Sequence, residues 1–106
     1  MTLREICVAA GVTRRAVQGY EKAGLVSPTG KTSRGYLLYD LNSQERIKVI
    51  RLYQQLGFSI KEIKEIIDAP SEIKRQALET RIIKLKEQGE NIENLIEKAY
   101  ELIETL

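Results

Sequence analysis

Residues 9–28 read AAGVTRRAVQGYEKAGLVSP, and this stretch decides the fold. Gly11 can take the left-handed conformation that a tight turn needs, so it ends the helix before it. Thr13 can cap a second helix, with Val12 just outside and Val17 four residues in, the spacing of a hydrophobic staple. Gly24 closes that second helix. Upstream, Thr2 and Glu5 form a capping-box pattern, and Leu3, Ile6, Cys7 and Ala10 recur at helical spacing. Two short helices joined by a Gly-containing turn predict a helix-turn-helix.

Downstream the character changes. Pro28, Gly30, Thr32, Ser33 and Gly35 are turn formers between Leu25-Val26 and Tyr36-Leu37-Leu38-Tyr39, which predicts a small β-hairpin with Lys31 and Arg34 near its tip. Asn42 with Glu45 opens a third helix carrying Ile47, Ile50, Tyr53 and Leu56, and Gly57 stops it. Ser59 and Glu62 are another capping box, and Ile60, Ile63, Ile66 and Ile67 give the fourth helix an apolar stripe. Pro70 breaks the chain, and Ser71 can cap a fifth helix.

The remainder is one helical pattern. Leu78, Leu85, Ile92, Ala99 and Leu106 repeat every seven residues, and Leu95 and Leu102 take the second seam position, with Ile82, Ile96 and Ile103 alongside. That pattern is a coiled-coil seam. So long a stripe cannot be buried on so small a head and needs a partner, most simply a second copy. Gly89 interrupts this helix at a cost of about 1 kcal/mol relative to Ala. It permits a close crossing or a kink, or is a tolerated surface weakness.

Composition narrows the chemistry. Histidine is absent and Cys7 is the lone cysteine, so no internal disulfide, Cys/His metal site or Ser-His or Cys-His catalysis is available. No cofactor is expected. No long uncharged run spans a membrane, and Arg4 and Glu5 come too early for a signal-peptide core, so a soluble cytoplasmic protein is expected. Up to Phe58 nine basic residues face four acids, whereas beyond it acids prevail. A basic front and an acidic tail suggest a polyanion held at one end, although charged helix faces are usually plain solvated surface.

In this order the elements resemble the MerR family of transcription regulators. The stretch 9–28 resembles its turn and recognition helix. SRGYLLYD (33–40) resembles its wing, and RLYQQLGFSIKEIKEII (51–67) the helical pair after it. The resemblance is close over about residues 2–68, and covers the long helix by pattern only. It implies an all-α fold with a small β-hairpin wing: a winged helix-turn-helix head over residues 1–70 and a coiled-coil dimerisation helix over 71–106. It further implies an antiparallel homodimer on double-stranded DNA, on successive major grooves of an inverted repeat, with RNA polymerase a further partner at the promoter. Many members carry an effector segment after the dimer helix; residues 1–106 hold none, and whether they are a complete protein or a fragment cut before such a segment stays open. Two positions depart from the family pattern. Gln18-Gly19-Tyr20 stands where an arginine and an aromatic usually precede the final tyrosine, and Leu37 stands where an arginine normally follows the tyrosine of the wing.

The candidate DNA contacts are Thr13, Arg14, Arg15 and Gln18 on the recognition helix, with Tyr20 beyond them, and Lys31, Arg34 and Tyr36 on the wing. Arginine can pair bidentately with guanine and glutamine with adenine, but which side chains read bases and which hold phosphate stays open. Lys31, Thr32 and Arg34 suit phosphates or the minor groove. Tyr20 and Tyr36 either offer hydroxyls to phosphate or pack half-buried with wet tips. Tyr39 is assigned to the core, and Cys7, on the Leu3–Ile6–Ala10 stripe, to burial rather than sensing. The rival reading is a protein-interaction adaptor of the same fold that has lost DNA contacts, favoured by Gln18 and Leu37. An enzyme is the poorest reading, because no phosphate loop and no nucleophile beside a base occurs.

Overall fold

A computed structural model describes residues 1–106. The chain divides into two compact units, Met1–Asp68 and Ala69–Leu106.

The first unit, the head, runs α1 (Leu3–Ala10), α2 (Arg14–Lys22), β1 (Gly30–Lys31), β2 (Leu37–Leu38), α3 (Leu41–Leu56) and α4 (Ile60–Ile66). Its boundaries are set by local chemistry. The Thr2 hydroxyl accepts from Glu5 N–H at 3.3 Å while the Glu5 carboxylate accepts from Thr2 N–H at 3.0 Å. That reciprocal bond holds the Glu5 carboxyl below its ordinary pKa. Gly11, in the left-handed region at φ 65°, turns the chain out of α1. Thr13 caps α2, accepting from Ala16 N–H at 3.0 Å, and Ser59 with Glu62 repeats the reciprocal box on α4.

Strands β1 and β2 pair antiparallel with Gly30 opposite Leu38 and Lys31 opposite Leu37, so the hairpin is only two residues deep. Its base is extended by the start of the chain. Thr2 bridges Leu38, while Met1 and Tyr39 exchange both backbone hydrogen bonds, at 2.7 and 3.2 Å. The core then closes over Ile6 of α1, Val17 and Tyr20 of α2, Leu25, Val26 and Tyr39 around the hairpin, Ile47, Ile50 and Tyr53 of α3, and Ile63 and Ile67 at α4. Each buried aliphatic or aromatic side chain contributes about 1.5–3 kcal/mol relative to exposure. Val12 and Val17, the residues of the predicted staple, are both buried.

Three local expectations need correction. The cap of α3 is Asp40, whose carboxylate accepts from Ser43 N–H at 2.9 Å, so Asn42 and Glu45 lie inside the helix rather than opening it. Ser71 does not cap the last helix. It is the first helical residue, Pro70 stands at the cap with φ −56° and ψ 152°, and no side chain caps the end. Proline cannot offer an N–H but still supplies its carbonyl, which accepts from Lys74 N–H. Cys7 is half-buried rather than fully enclosed, because the inward-facing residue of α1 is Ile6.

The second unit is α5 (Ser71–Glu104), 34 residues without a buried side chain. Leu78 and Leu85 are half-buried, whereas Ile92, Leu95, Ala99, Leu102 and Leu106 are exposed, as are Ile96 and Ile103. Gly89 lies mid-helix, and a Cβ placed there would meet nothing within 4 Å. No helix is long and apolar enough to cross a membrane.

Candidate nucleic-acid interface

Helix α2 presents two opposed faces. Val17 and Tyr20 point inward, and Arg14, Arg15, Gln18 and Lys22 are all exposed. At about 100° per residue these four fall within roughly 100° of arc, on the side away from the buried pair. Arg14 and Arg15 are the first two helical residues, so their guanidiniums flank the end where α2 enters solvent. Thr13 is exposed, but its hydroxyl is already committed to the Ala16 N–H.

The wing is built by a turn over residues 32–35. Gly35 N–H donates to the Thr32 carbonyl at 2.9 Å, and Gly35 itself sits at φ 83°, where a side chain would be strained. The Thr32 hydroxyl accepts from Tyr36 N–H at 3.1 Å, which locks the tip. That bond commits Thr32 to the fold, while Lys31, Arg34 and Tyr36 project into solvent.

An open cleft of about 630 Å³ joins the two elements. It is lined by Thr2, Leu3 and Arg4 at the start of α1, Arg14 at the start of α2, and Gly35, Tyr36 and Leu37 of the wing. The structure thus brings Arg14 and Tyr36 together from the predicted set. Arg15, Gln18, Lys31 and Arg34 lie outside the cleft on exposed surface. Sequence reasoning missed Arg4. Its exposure on α1, on the helix side away from Ile6, was readable, but its meeting with the wing depends on the pairing of Thr2 with Leu38.

Tyr20 leaves the set of DNA contacts. It is 1 % exposed, and its hydroxyl donates to Gln54 Oε1 of α3. Burial raises its pKa, with the nearby Arg51 charge opposing. Tyr39 occupies the core as expected, its hydroxyl donating to the Glu21 carboxylate. Tyr36 differs from both, 62 % exposed with its hydroxyl free of any intramolecular partner. No cluster of His, Cys, Asp or Glu side chains is assembled that could hold a metal ion.

Comparison with known proteins agrees with this geometry. Residues 1–70 match the MerR HTH family regulatory protein model, and residues 44–106 match the model described as MerR, DNA binding. The HTH-type transcriptional activator mta of Bacillus subtilis is 27% identical over 95 residues, covering 90% of this chain; the chain spans only 37% of that relative's length. The crystal structure of MtaN, the N-terminus of the Bacillus subtilis multidrug transporter activator, superposes with a TM-score of 0.73 at 25% identity, covering 97% of each chain. The fold is shared as well by HiNmlR, a MerR family regulator lacking the sensor domain and solved bound to promoter DNA. Its TM-score is 0.76 at 18% identity, over 92% of this chain and 78% of that one. With two family models together spanning its full length, a helix-turn-helix bearing a two-stranded wing, and a long final helix, this chain belongs to the MerR family.

Proposed function

We propose that this chain is a sequence-specific, DNA-binding transcription regulator that acts as an antiparallel homodimer on an inverted-repeat operator. The observation that carries the reading is the exposed Arg14–Arg15–Gln18–Lys22 arc of α2, set beside a wing that projects Lys31, Arg34 and Tyr36. A helix of this kind fits the major groove, its first residues reaching base edges while wing cations hold phosphate. The reading is of a cytoplasmic regulator and not an enzyme, with RNA polymerase its neighbour at the promoter. Effector and direction of regulation belong to the whole protein.

The dimer is supported by α5. Its exposed seam of Ile92, Leu95, Leu102 and Leu106 is apolar surface that association would remove from water. Charge favours the antiparallel arrangement. From Ser71 to Gln88 five basic residues face three acids, whereas from Gly89 to Leu106 one base faces five acids. Antiparallel pairing sets the basic half of one helix beside the acidic half of the other, and parallel pairing sets like against like.

The deciding experiment is selection of bound duplexes from random DNA, followed by anisotropy titration of the winners. An inverted repeat is expected, with half-sites about one helical turn, or a small multiple, apart. Inserting about half a turn between them moves one half-site to the opposite DNA face and should abolish tight binding. Enrichment of no duplex would return the chain to the adaptor reading.

A further inference from the structure

We infer that the cleft between α1, α2 and the wing is a seat for one DNA backbone phosphate. Arg4 and Arg14, which line it, would supply the cations, and Tyr36, also in its lining, an added hydroxyl donor. The inference rests on the DNA-binding reading and deepens it, because it divides the arginines of α2 between two tasks.

Three observations carry it. The first is charge: the lining holds two guanidiniums and no carboxylate, and neither Arg4 nor Arg14 is engaged in an ion pair or a side-chain hydrogen bond. Two like charges facing one cleft repel, and an anion between them turns that repulsion into two attractions. The guanidinium fork matches phosphate oxygens in geometry. The second is the contrast among tyrosines. Tyr20 and Tyr39 spend their hydroxyls on Gln54 and Glu21, whereas Tyr36 lines the cleft and its hydroxyl bonds nothing within the chain. The third is continuity. Arg14 belongs both to the cleft and to the exposed arc of α2, so a duplex that admits α2 to its groove carries its backbone past the cleft. Openness to solvent argues for a phosphate held within a duplex over a free anion, since two exposed cations alone hold a small ion weakly.

Within the site, Arg14 then holds phosphate, which leaves Arg15 and Gln18 to meet base edges. Leu37 lines the same cleft, so a cation placed there would occupy the seat from the wing side and substitute for Arg4.

The test uses the full chain, a selected duplex and a scrambled one, with anisotropy read across a salt series. Arg4→Gln should flatten the slope of log affinity against log salt, by at most roughly 2 for a dimer, which is complete loss of one contact per head at about 0.9 each; Arg14, left in place, keeps part of it. The ratio of affinities for selected and scrambled duplexes should stay as in wild type. Adding Leu37→Arg to Arg4→Gln should return the slope to the wild-type value. The thermal melt of Arg4→Gln should match wild type, since Arg4 is exposed and unbonded. A wild-type slope in Arg4→Gln overturns the seat while leaving DNA binding standing, and a changed duplex preference overturns it by making Arg4 a base reader. Saturable binding of inorganic phosphate at constant ionic strength, lost in Arg4→Gln, reassigns the cleft to a free anion. Wild type that binds no duplex at all removes both the seat and the reading beneath it.

Discussion

The guanidinium of Arg46 grips both carboxylate oxygens of Asp68, Nη1 to Oδ1 and Nη2 to Oδ2 at 2.8 Å each, while its Nε donates to the Leu25 carbonyl. One side chain of α3 therefore ties the segment leaving the recognition helix to the last residue of the head. Its charged form is held by the Asp68 carboxylate against the opposing cost of burial. The two interactions differ in worth. Asp68 is largely exposed, and such pairs typically contribute about 0.2–1 kcal/mol, whereas a hydrogen bond from a charged group to a part-buried carbonyl is worth about 1.5–3 kcal/mol.

Arg46→Ala should accordingly destabilise the head by about 2–3 kcal/mol and Asp68→Asn by less than about 1 kcal/mol, measured by urea unfolding. Equal losses in the two variants would show that the ion pair, not the Leu25 carbonyl, carries the effect.

Tyr39 and Tyr20 make stability fall in alkali. Burial raises both hydroxyl pKa values, and for Tyr39 the bonded Glu21 carboxylate raises it further. The folded state thus holds these protons more tightly than the unfolded chain. Their contribution is complete below about pH 10, the ordinary tyrosine value, and declines as pH climbs above it. The slope should be at most about 1.4 kcal/mol per pH unit for each residue, and the paired change Tyr20→Phe/Tyr39→Phe should remove it. An unchanged alkaline slope in the double variant would assign it to other groups.

Leu95→Asp tests the dimer. It places a carboxylate in the seam of Leu95, Leu102 and Leu106, where pairing would bury it without a partner. Wild type should sediment as a dimer at micromolar concentration and the variant as a monomer with its helical content in the head retained. Monomeric wild type would end the proposal of a homodimer.

Arg15→Ala separates the two kinds of contact on α2. If Arg15 reads a base, its loss costs about 1–3 kcal/mol on the selected site and relaxes preference at one position. The salt slope should hardly move, in contrast to Arg4→Gln. Uniform weakening on every duplex with a flattened slope would instead make Arg15 a phosphate contact.

Local signals were the legible ones. The boxes at Thr2–Glu5 and Ser59–Glu62, the cap at Thr13 and the helix-ending glycines at 11 and 57 each depend on residues within one turn, and each forms as read. Asp40 escaped because Asn42 and Glu45 imitate a capping box two residues on, while Asp40 and Ser43 make the actual bond. Tyr20 misled for a different reason. Its hydroxyl partner, Gln54, lies 34 residues away, and no local pattern announces a tertiary hydrogen bond. The place of Arg4 in the cleft was invisible on the same ground, since α1 and the wing meet only after the chain has folded. The apolar heptads of α5 are legible as a pattern, and the helix buries no side chain of its own; their pairing with a second copy is the proposal that Leu95→Asp tests.

Gly89 gives that helix a mechanical character. It lies within about two residues of the midpoint of Ser71–Glu104, and glycine is the least stiff choice a helix interior can make. Each half of α5 is a lever about 25 Å long. A bend of about 10° at the glycine displaces the far end by about 4 Å, comparable to one base-pair step. In the proposed antiparallel dimer both soft points fall beside the two-fold axis, so the most compliant place in the assembly is the one equidistant from its two ends. Gly89→Ala would stiffen the rod there, its Cβ meeting nothing within the protomer, and the tolerance of the dimer for operators one base pair longer or shorter would narrow.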